Sequence, residues 1–193
     1  MAVKEGISGV TAKTPQNIAF GAGTVHKGLK YADGKWNFAE SIIGATKGGN
    51  SLEIVPEIYE VEPDGAGVSI KGLTVKVGEE ATLTINGLEL SSDLLKAAVI
   101  GTDGTSEDTN YNVVESKSFI EEGDYFENIA FVGQTLGNKR IIVILDNALC
   151  TSGLKLEGQN KEAGTVEYVF KCHADVDGDL DRLPYHIYYP TAE

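Results

Sequence analysis

The chain has 193 residues, 41% of them hydrophobic, with 23 glycines and a formal charge of −13 from 16 basic and 29 acidic side chains. That apolar share can bury a core, and it excludes a disordered acidic chain, which lacks the surface to offset the entropy of ordering. The charge excludes a sequence-independent grip on nucleic acid, since neutralising phosphates takes clustered Lys and Arg; it is compatible with a protein that lies beside DNA without holding it.

The opening residues, MAVKEGISGV, lack the basic and apolar regions of an export signal. The glycines of Gly44-Ala45-Thr46-Lys47-Gly48-Gly49 do not follow the order that cradles phosphate and read as a turn or bulge. From Leu52 to Val61 the pattern alternates loosely, Leu52 and Ile54 opposing Glu53 and Glu57, and Pro56 marks a bulge or an edge because it removes a ladder donor. Glu62 to Gly72 (EPDGAGVSIKG) is longer than a tight hairpin turn, and loops of that length in compact domains often carry function. Ala81, Leu83 and Ile85 then alternate with Thr82, Thr84 and Asn86, which gives a strand with one core face and one wet face.

A single short helix is expected over about residues 92–100: Ser91 or Ser92 caps it, Asp93 suits the positive end of its dipole, Leu94, Leu95, Ala98 and Val99 form the stripe, and Gly101 is the left-handed stop. Gly101 to Asn112 reads as a polar loop. The longest apolar run, Ile141 to Leu145, is far short of the roughly 20 residues of a membrane span, so no membrane segment is expected. Arg140 to Leu145 is apolar on both faces, as in a strand central to a sandwich or covered by another subunit. Val166, Tyr168, Phe170, Cys172 and Ala174 form the inner face of another strand, with Glu167, Lys171 and His173 outside. With turn signals at Asp33-Gly34, Gly48-Gly49, Asp64-Gly65 and Asp103-Gly104, the pattern predicts one mainly β domain over 1–193, a sandwich or barrel carrying one helix.

Candidate chemistry is sparse. Asp175, Asp177, Asp179 and Asp181 alternate as in a calcium loop, but with Asp175 as position one, the required glycine at six is Leu180 and the glutamate at twelve is His186. An exposed acidic turn is the simpler reading, with weak cation binding as its alternative. His26, His173 and His186 are scattered, and Cys172 and His173 on one strand point to opposite faces, so no zinc set forms. Cys150 and Cys172 read as buried thiols. Gly6-Ile7-Ser8-Gly9 is one residue short of a nucleophile elbow. Trp36 reads as a core or interface anchor. No catalytic, cofactor or metal residue is assigned, and the chain is expected not to be an enzyme.

Several stretches together resemble one family, the major tail proteins, or tail tube proteins, of long-tailed bacteriophages of Gram-positive bacteria. Asn17 to Gly28 (NIAFGAGTVHKG) resembles the family's first strand region, Ile43 to Gly72 its second strand and long loop, Glu80 to Ser92 (EATLTINGLELSS) the strand entering its single helix, and Phe170 to Pro190 its closing segment. These stretches cover about half the chain, and their order and spacing carry the likeness. The Asp-rich stretch is longer and more acidic than the family's pattern, and residues 104–165 match only in general strand character.

The resemblance implies a barrel-like subunit with one flanking helix, built into hexameric rings stacked as a hollow tube through which DNA passes during ejection. It further implies residence in the virion tail after assembly in the host cytoplasm, with tape measure, tail terminator and distal tail proteins as partners and DNA sliding past unbound. The lumen would be lined by Glu53, Glu57, Glu80, Thr82, Thr84 and Asn86, whose acidic groups repel phosphate. The loop Pro63, Asp64, Gly65, Ala66, Gly67, Val68, Ser69, Ile70, Lys71 and Gly72 would reach the next ring, and the N-terminal arm over 1–16 would dock on a neighbour. The tube of a contractile tail or of a tail-derived bacteriocin is the alternative within this class. A carbohydrate- or calcium-binding β-sandwich module is the alternative outside it.

Overall fold

The computed structural model describes residues 9–158 and 160–191. Ala2 to Ser8, which hold half of the expected arm and most of the Gly6-Ile7-Ser8-Gly9 stretch, lie outside the described residues. The elements, in chain order, are α1 (Thr14–Asn17), β1 (Ala19–Lys27), β2 (Tyr31–Ala32), β3 (Lys35–Trp36), α2 (Phe38–Ser41), β4 (Thr46–Glu60), β5 (Thr74–Gly87), α3 (Ser92–Val99), β6 (Gly101–Gly104), β7 (Val113–Ser116), a 3-10 turn (Glu122–Asp124), β8 (Phe126–Thr135), β9 (Arg140–Cys150), β10 (Val166–Cys172) and β11 (Tyr185–Tyr188). With 46% strand and 10% helix, the protein is mainly β, as the alternation predicts.

One antiparallel sheet organises it, in the order β1-β8-β9-β10-β5-β4. β9 has three neighbours because it divides its length: Ile142–Leu145 pairs with β11 and Ala148–Cys150 with β10, while β8 runs along its other edge. Between the two halves Asn147 takes a left-handed backbone, φ 47°, which turns the strand from one partner to the other. The two ends of the sheet then meet. Ile43 N–H donates to Val25 O at 3.0 Å, and His26 bridges to Ile42, so the sheet curls into a barrel-like layer.

The core lies inside that curl. Ala81, Leu83 and Ile85 of β5 and Val166, Tyr168, Phe170 and Cys172 of β10 are all buried there, and Leu94, Ala97 and Ala98 of α3 close one end. Each large side chain buried this way contributes about 1.5–3 kcal/mol. β9 is apolar on both faces because it separates two cores: Val143 and Leu145 point into the first, while Ile142 and Ile144 join Leu29, Ala130 and Val132 in a second, packed by Trp36 and Phe38. Of the two readings offered for Arg140 to Leu145, a central strand is the one observed. Asn128 fixes the covering segment, its Oδ1 accepting from Leu29 N–H at 2.9 Å and its Nδ2 donating to Leu29 O at 3.3 Å.

Two local expectations need correction around α3. The helix is capped by Ser91, whose Oγ accepts from Leu94 N–H at 3.3 Å, but the left-handed stop is Ile100 at φ 50°, not Gly101. Gly101 is needed for another reason: a Cβ there would lie 2.7 Å from Val114 Cγ1 and 2.9 Å from Val99 Cγ2. The close approach belongs to the pairing of β6 with β7, in which Asp103 faces Val114 and Gly104 faces Val113. Gly101–Gly104 is therefore a strand, Asp103-Gly104 is no turn, and the polar loop shortens to 105–112. Two single-turn helices, α1 and α2, join the one expected.

The other punctuation agrees with the sequence. Asp33 and Gly34, at φ 51° and 78°, make the tight turn between β2 and β3. Gly48 and Gly49 sit in a bulge of β4, where the register with β5 slips between Thr46 and Asn50. Pro56 lies on an edge strand, and a second slip, between Glu57 and Ile58, follows it directly. Among the described residues no helix is long and apolar enough to cross a membrane.

Candidate functional site

Directly opposed residues of an antiparallel pair share a face, so the register fixes which side chains stand together. Glu53 opposes Thr82, Ser51 opposes Thr84, Val55 opposes Glu80 and Glu57 opposes Gly78. On the other side of β5, Lys171 opposes Thr82, Val169 opposes Thr84 and Glu167 opposes Asn86. Glu53, Glu57, Glu80, Thr82, Thr84 and Asn86 thus lie on one face of the three-stranded β4-β5-β10 layer, the face turned away from the core. The pairing adds Glu167 and Lys171, which the alternation of single segments could not assign to the same surface.

Lys171 modifies the charge of this face. Its ammonium pairs with Glu80 and holds that carboxyl below the usual range, helped by the Thr82 hydroxyl at 3.5 Å. The uncompensated acids are Glu53, Glu57 and Glu167, which make no ion pair with a described residue. Asn86 ties the layer together, donating from Nδ2 to Gly49 O at 2.8 Å across the bulge of β4.

The face changes character along the hairpin. β4 and β5 continue beyond the barrel as a two-stranded arm, because β10 pairs with β5 only from Thr82 to Gly87 while β4 stays paired out to Thr74. On the same face as Glu53 and Glu57, the arm carries Val55, Tyr59, Val61 and Val75, all exposed, Tyr59 at 57%. These apolar residues are absent from the sequence-derived set. Following the odd-numbered positions past Glu53 along β4 and one residue beyond its end would have found three of the four, since 55, 59 and 61 are apolar and only 57 is acidic. A two-stranded ribbon with exposed apolar side chains is marginal on its own.

The tip of the arm is the expected long loop. Val61 N–H donates to Leu73 O at 2.9 Å and closes it, and Ala66 N–H returns to Pro63 O at 3.3 Å around Gly65, whose φ of 87° the turn requires. The base of the arm is fixed on the opposite face by Glu79, whose side chain is only 6% exposed. Its Oε1 accepts from Leu183 N–H at 2.6 Å, and its Oε2 takes the Lys76 ammonium and, at 3.5 Å, the Tyr185 hydroxyl. Lys76 first, then the Leu183 amide, holds this carboxyl below its ordinary range.

The remaining candidates fall outside this face. Asp175 and Asp179 spend a carboxylate oxygen each on the amides of Asp177 and Asp181, and Asp179 also pairs with Arg182 at 3.0 Å. Among the described residues no group of three or more His, Cys, Asp or Glu side chains is placed to hold a metal ion. Cys150 and Cys172 are buried free thiols, and burial pushes that of Cys172 up to about 12. Trp36 is half-buried, with Tyr31 and Tyr188 edge-on to it at 5.3 and 5.1 Å, so its ring serves packing over the second core.

His26 meets Ser41 at 3.0 Å through Nδ1 and Thr24 Oγ1 at 2.8 Å through Nε2, a pairing not foreseen from sequence. Ser41 donates its only hydroxyl proton to Asn37 O at 2.9 Å, so Nδ1 is the donor to Ser41 and Nε2 accepts from Thr24. The ring is neutral and structural, holding α2 at the closure of the barrel. Compared with known proteins, the chain matches no family model and no curated protein.

Proposed function

We propose that the chain is a structural subunit that assembles with copies of itself into stacked hexameric rings, forming the hollow tail tube of a long-tailed bacteriophage. The observation that carries this reading is the outward face of the β4-β5 hairpin: acidic and hydroxylated over the barrel, and increasingly apolar where it projects beyond, with Glu57 standing between Val55 and Tyr59. The acidic part suits the wall of a water-filled bore, since Glu53, Glu57 and Glu167 repel phosphate while Thr82 and Thr84 keep it wet. The apolar part suits contact with another subunit, where covering Val55, Tyr59, Val61 and Val75 supplies the stability a free ribbon lacks. The loop over 62–72, at the end of the arm, is the segment best placed to reach a neighbouring ring.

In this reading the protein is a non-enzymatic virion component, and DNA traverses it without specific contacts. The test is negative-stain electron microscopy of the purified chain at high concentration. Rings or hollow tubes are the expected result; a strictly monomeric species across salt and seeding conditions overturns the reading.

A further inference from the structure

Eight of the cations are committed within the chain, Lys27, Lys30, Lys76, Lys96, Lys117, Lys155, Lys171 and Arg182 each meeting a carboxylate. In a protein with a charge of −13, the uncommitted cations are the scarce resource for contacts with anything acidic. Two of them, Lys13 and Lys139, line one cavity of about 310 Å³ with Asn17, Ile141, Tyr189 and Pro190. The cavity thus joins an apolar wall to two positive charges that have no carboxylate partner among the described residues.

An acidic element with matching chemistry exists on the same chain. In the turn after β10, Asp175, Asp177 and Asp181 make no ion pair with a described residue. Val176 and Leu180 between them are 83% and 71% exposed, which no internal packing explains. The turn precedes β11, whereas Tyr189 and Pro190 of the cavity follow it, and β11 is extended along β9 from Leu145 to Ile142. Turn and cavity therefore lie at opposite ends of one strand, held apart at roughly 3.3 Å per residue. A protein with complementary features at its two ends associates head to tail, and such contacts propagate from copy to copy.

We infer that the Lys13–Lys139 cavity receives the 175–181 turn of a second copy of this chain, with Asp177 and Asp181 meeting the lysines and an apolar side chain of the turn against Ile141 and Tyr189. This rests on the self-assembly proposed above and adds to it a contact away from the hairpin arm. The contact also relieves part of the mutual repulsion of strongly acidic subunits, because it uses cations that no described residue neutralises.

Charge exchange on the full chain tests it, read by sedimentation velocity and electron microscopy, with thermal melting as the control for folding. The variant Lys13→Glu/Lys139→Glu places acid against acid, and Asp177→Lys/Asp181→Lys places base against base. Each alone is expected to sediment as monomer at concentrations where at least nine-tenths of the wild-type chain assembles, on the order of a tenfold or greater loss of self-affinity. An equimolar mixture of the two is expected to assemble again, since each cavity then meets a turn of opposite charge. Wild-type assembly that both variants share, or a mixture that stays monomeric while each variant melts like the wild type, overturns the contact but not the tube. A wild-type chain that never assembles overturns the reading on which the contact rests.

Discussion

At the residue scale, the buried imidazole of His26 is one group through which pH acts on the fold. Burial lowers its pKa below the ordinary 6.5, with the Arg140 guanidinium adding to the effect, so the folded state resists a proton that the unfolded state accepts. Above pH 6.5 both states are neutral and the group contributes nothing. As pH falls from 6.5 toward the depressed folded value, the unfolded chain gains protons and stability is lost, at up to about 1.4 kcal/mol per pH unit. In a domain of this size that is up to about 4 °C in melting temperature per unit. His26→Asn keeps a donor toward Ser41 and does not titrate. Its melting temperature is expected to be lower overall but flatter between pH 6.5 and 5 than that of the wild type; equal slopes would show that His26 is not the group responsible. None of this was legible in the sequence, where His26 is one of three scattered histidines. Its partner Ser41 is 15 positions away, and only closure of the barrel at Ile42 and Ile43 brings the two together.

At the element scale, what could be read from sequence was whatever a single segment shows by itself. β5 and β10 each bury one face, so Leu83 and Ile85, or Tyr168 and Phe170, announce the inside without reference to their neighbours. α3 carries its own cap, and Leu94 and Ala98 of its expected stripe are buried, but Val99 is exposed and Ala97, outside that stripe, is buried. The Gly101–Gly104 strand was missed because its sequence is polar and its structure depends on β7; the same dependence displaced the helix stop to Ile100. The shared face of β4, β5 and β10 was half legible: alternation gave the membership of each strand, but the Glu80–Lys171 pair crosses 91 positions and requires the register. The arm follows from that register, and under the proposed assembly its tip can be removed without touching the fold. The loop tip packs on nothing in the barrel, and the base is fixed independently by Glu79 through Leu183 and Tyr185. Deleting Asp64–Lys71 is therefore expected to leave melting temperature within a few degrees of the wild type while abolishing elongation past single rings. Tubes of normal length from this variant would remove the inter-ring role of the loop.

At the scale of the whole molecule, the charge of −13 becomes informative only when it is located. An even coating of acid would oppose every contact between copies, whereas acid concentrated on one face leaves the other surfaces free to associate. The β4-β5-β10 face carries four of the 29 acids, Glu53, Glu57, Glu80 and Glu167, against one cation, Lys171, and its place in an assembly can be tested without reference to DNA. Thr84 stands at the middle of the layer, opposite Ser51 on one side and Val169 on the other. The chain's own thiols give a low background, because Cys150 and Cys172 are buried and the raised pKa of Cys172 keeps it protonated. A Thr84→Cys variant is expected to react, as monomer, with both a small maleimide and one carrying a long polyethylene glycol chain. In assembled tubes, a thiol facing a narrow bore still meets the small reagent by diffusion along the water-filled channel, while the bulky one is excluded by its size. A thiol on the outer wall meets both, and a thiol buried between subunits meets neither. Selective loss of the bulky label is the outcome that a lumenal face requires; either other pattern moves the acidic face out of the bore and leaves the net charge without a conduit to serve.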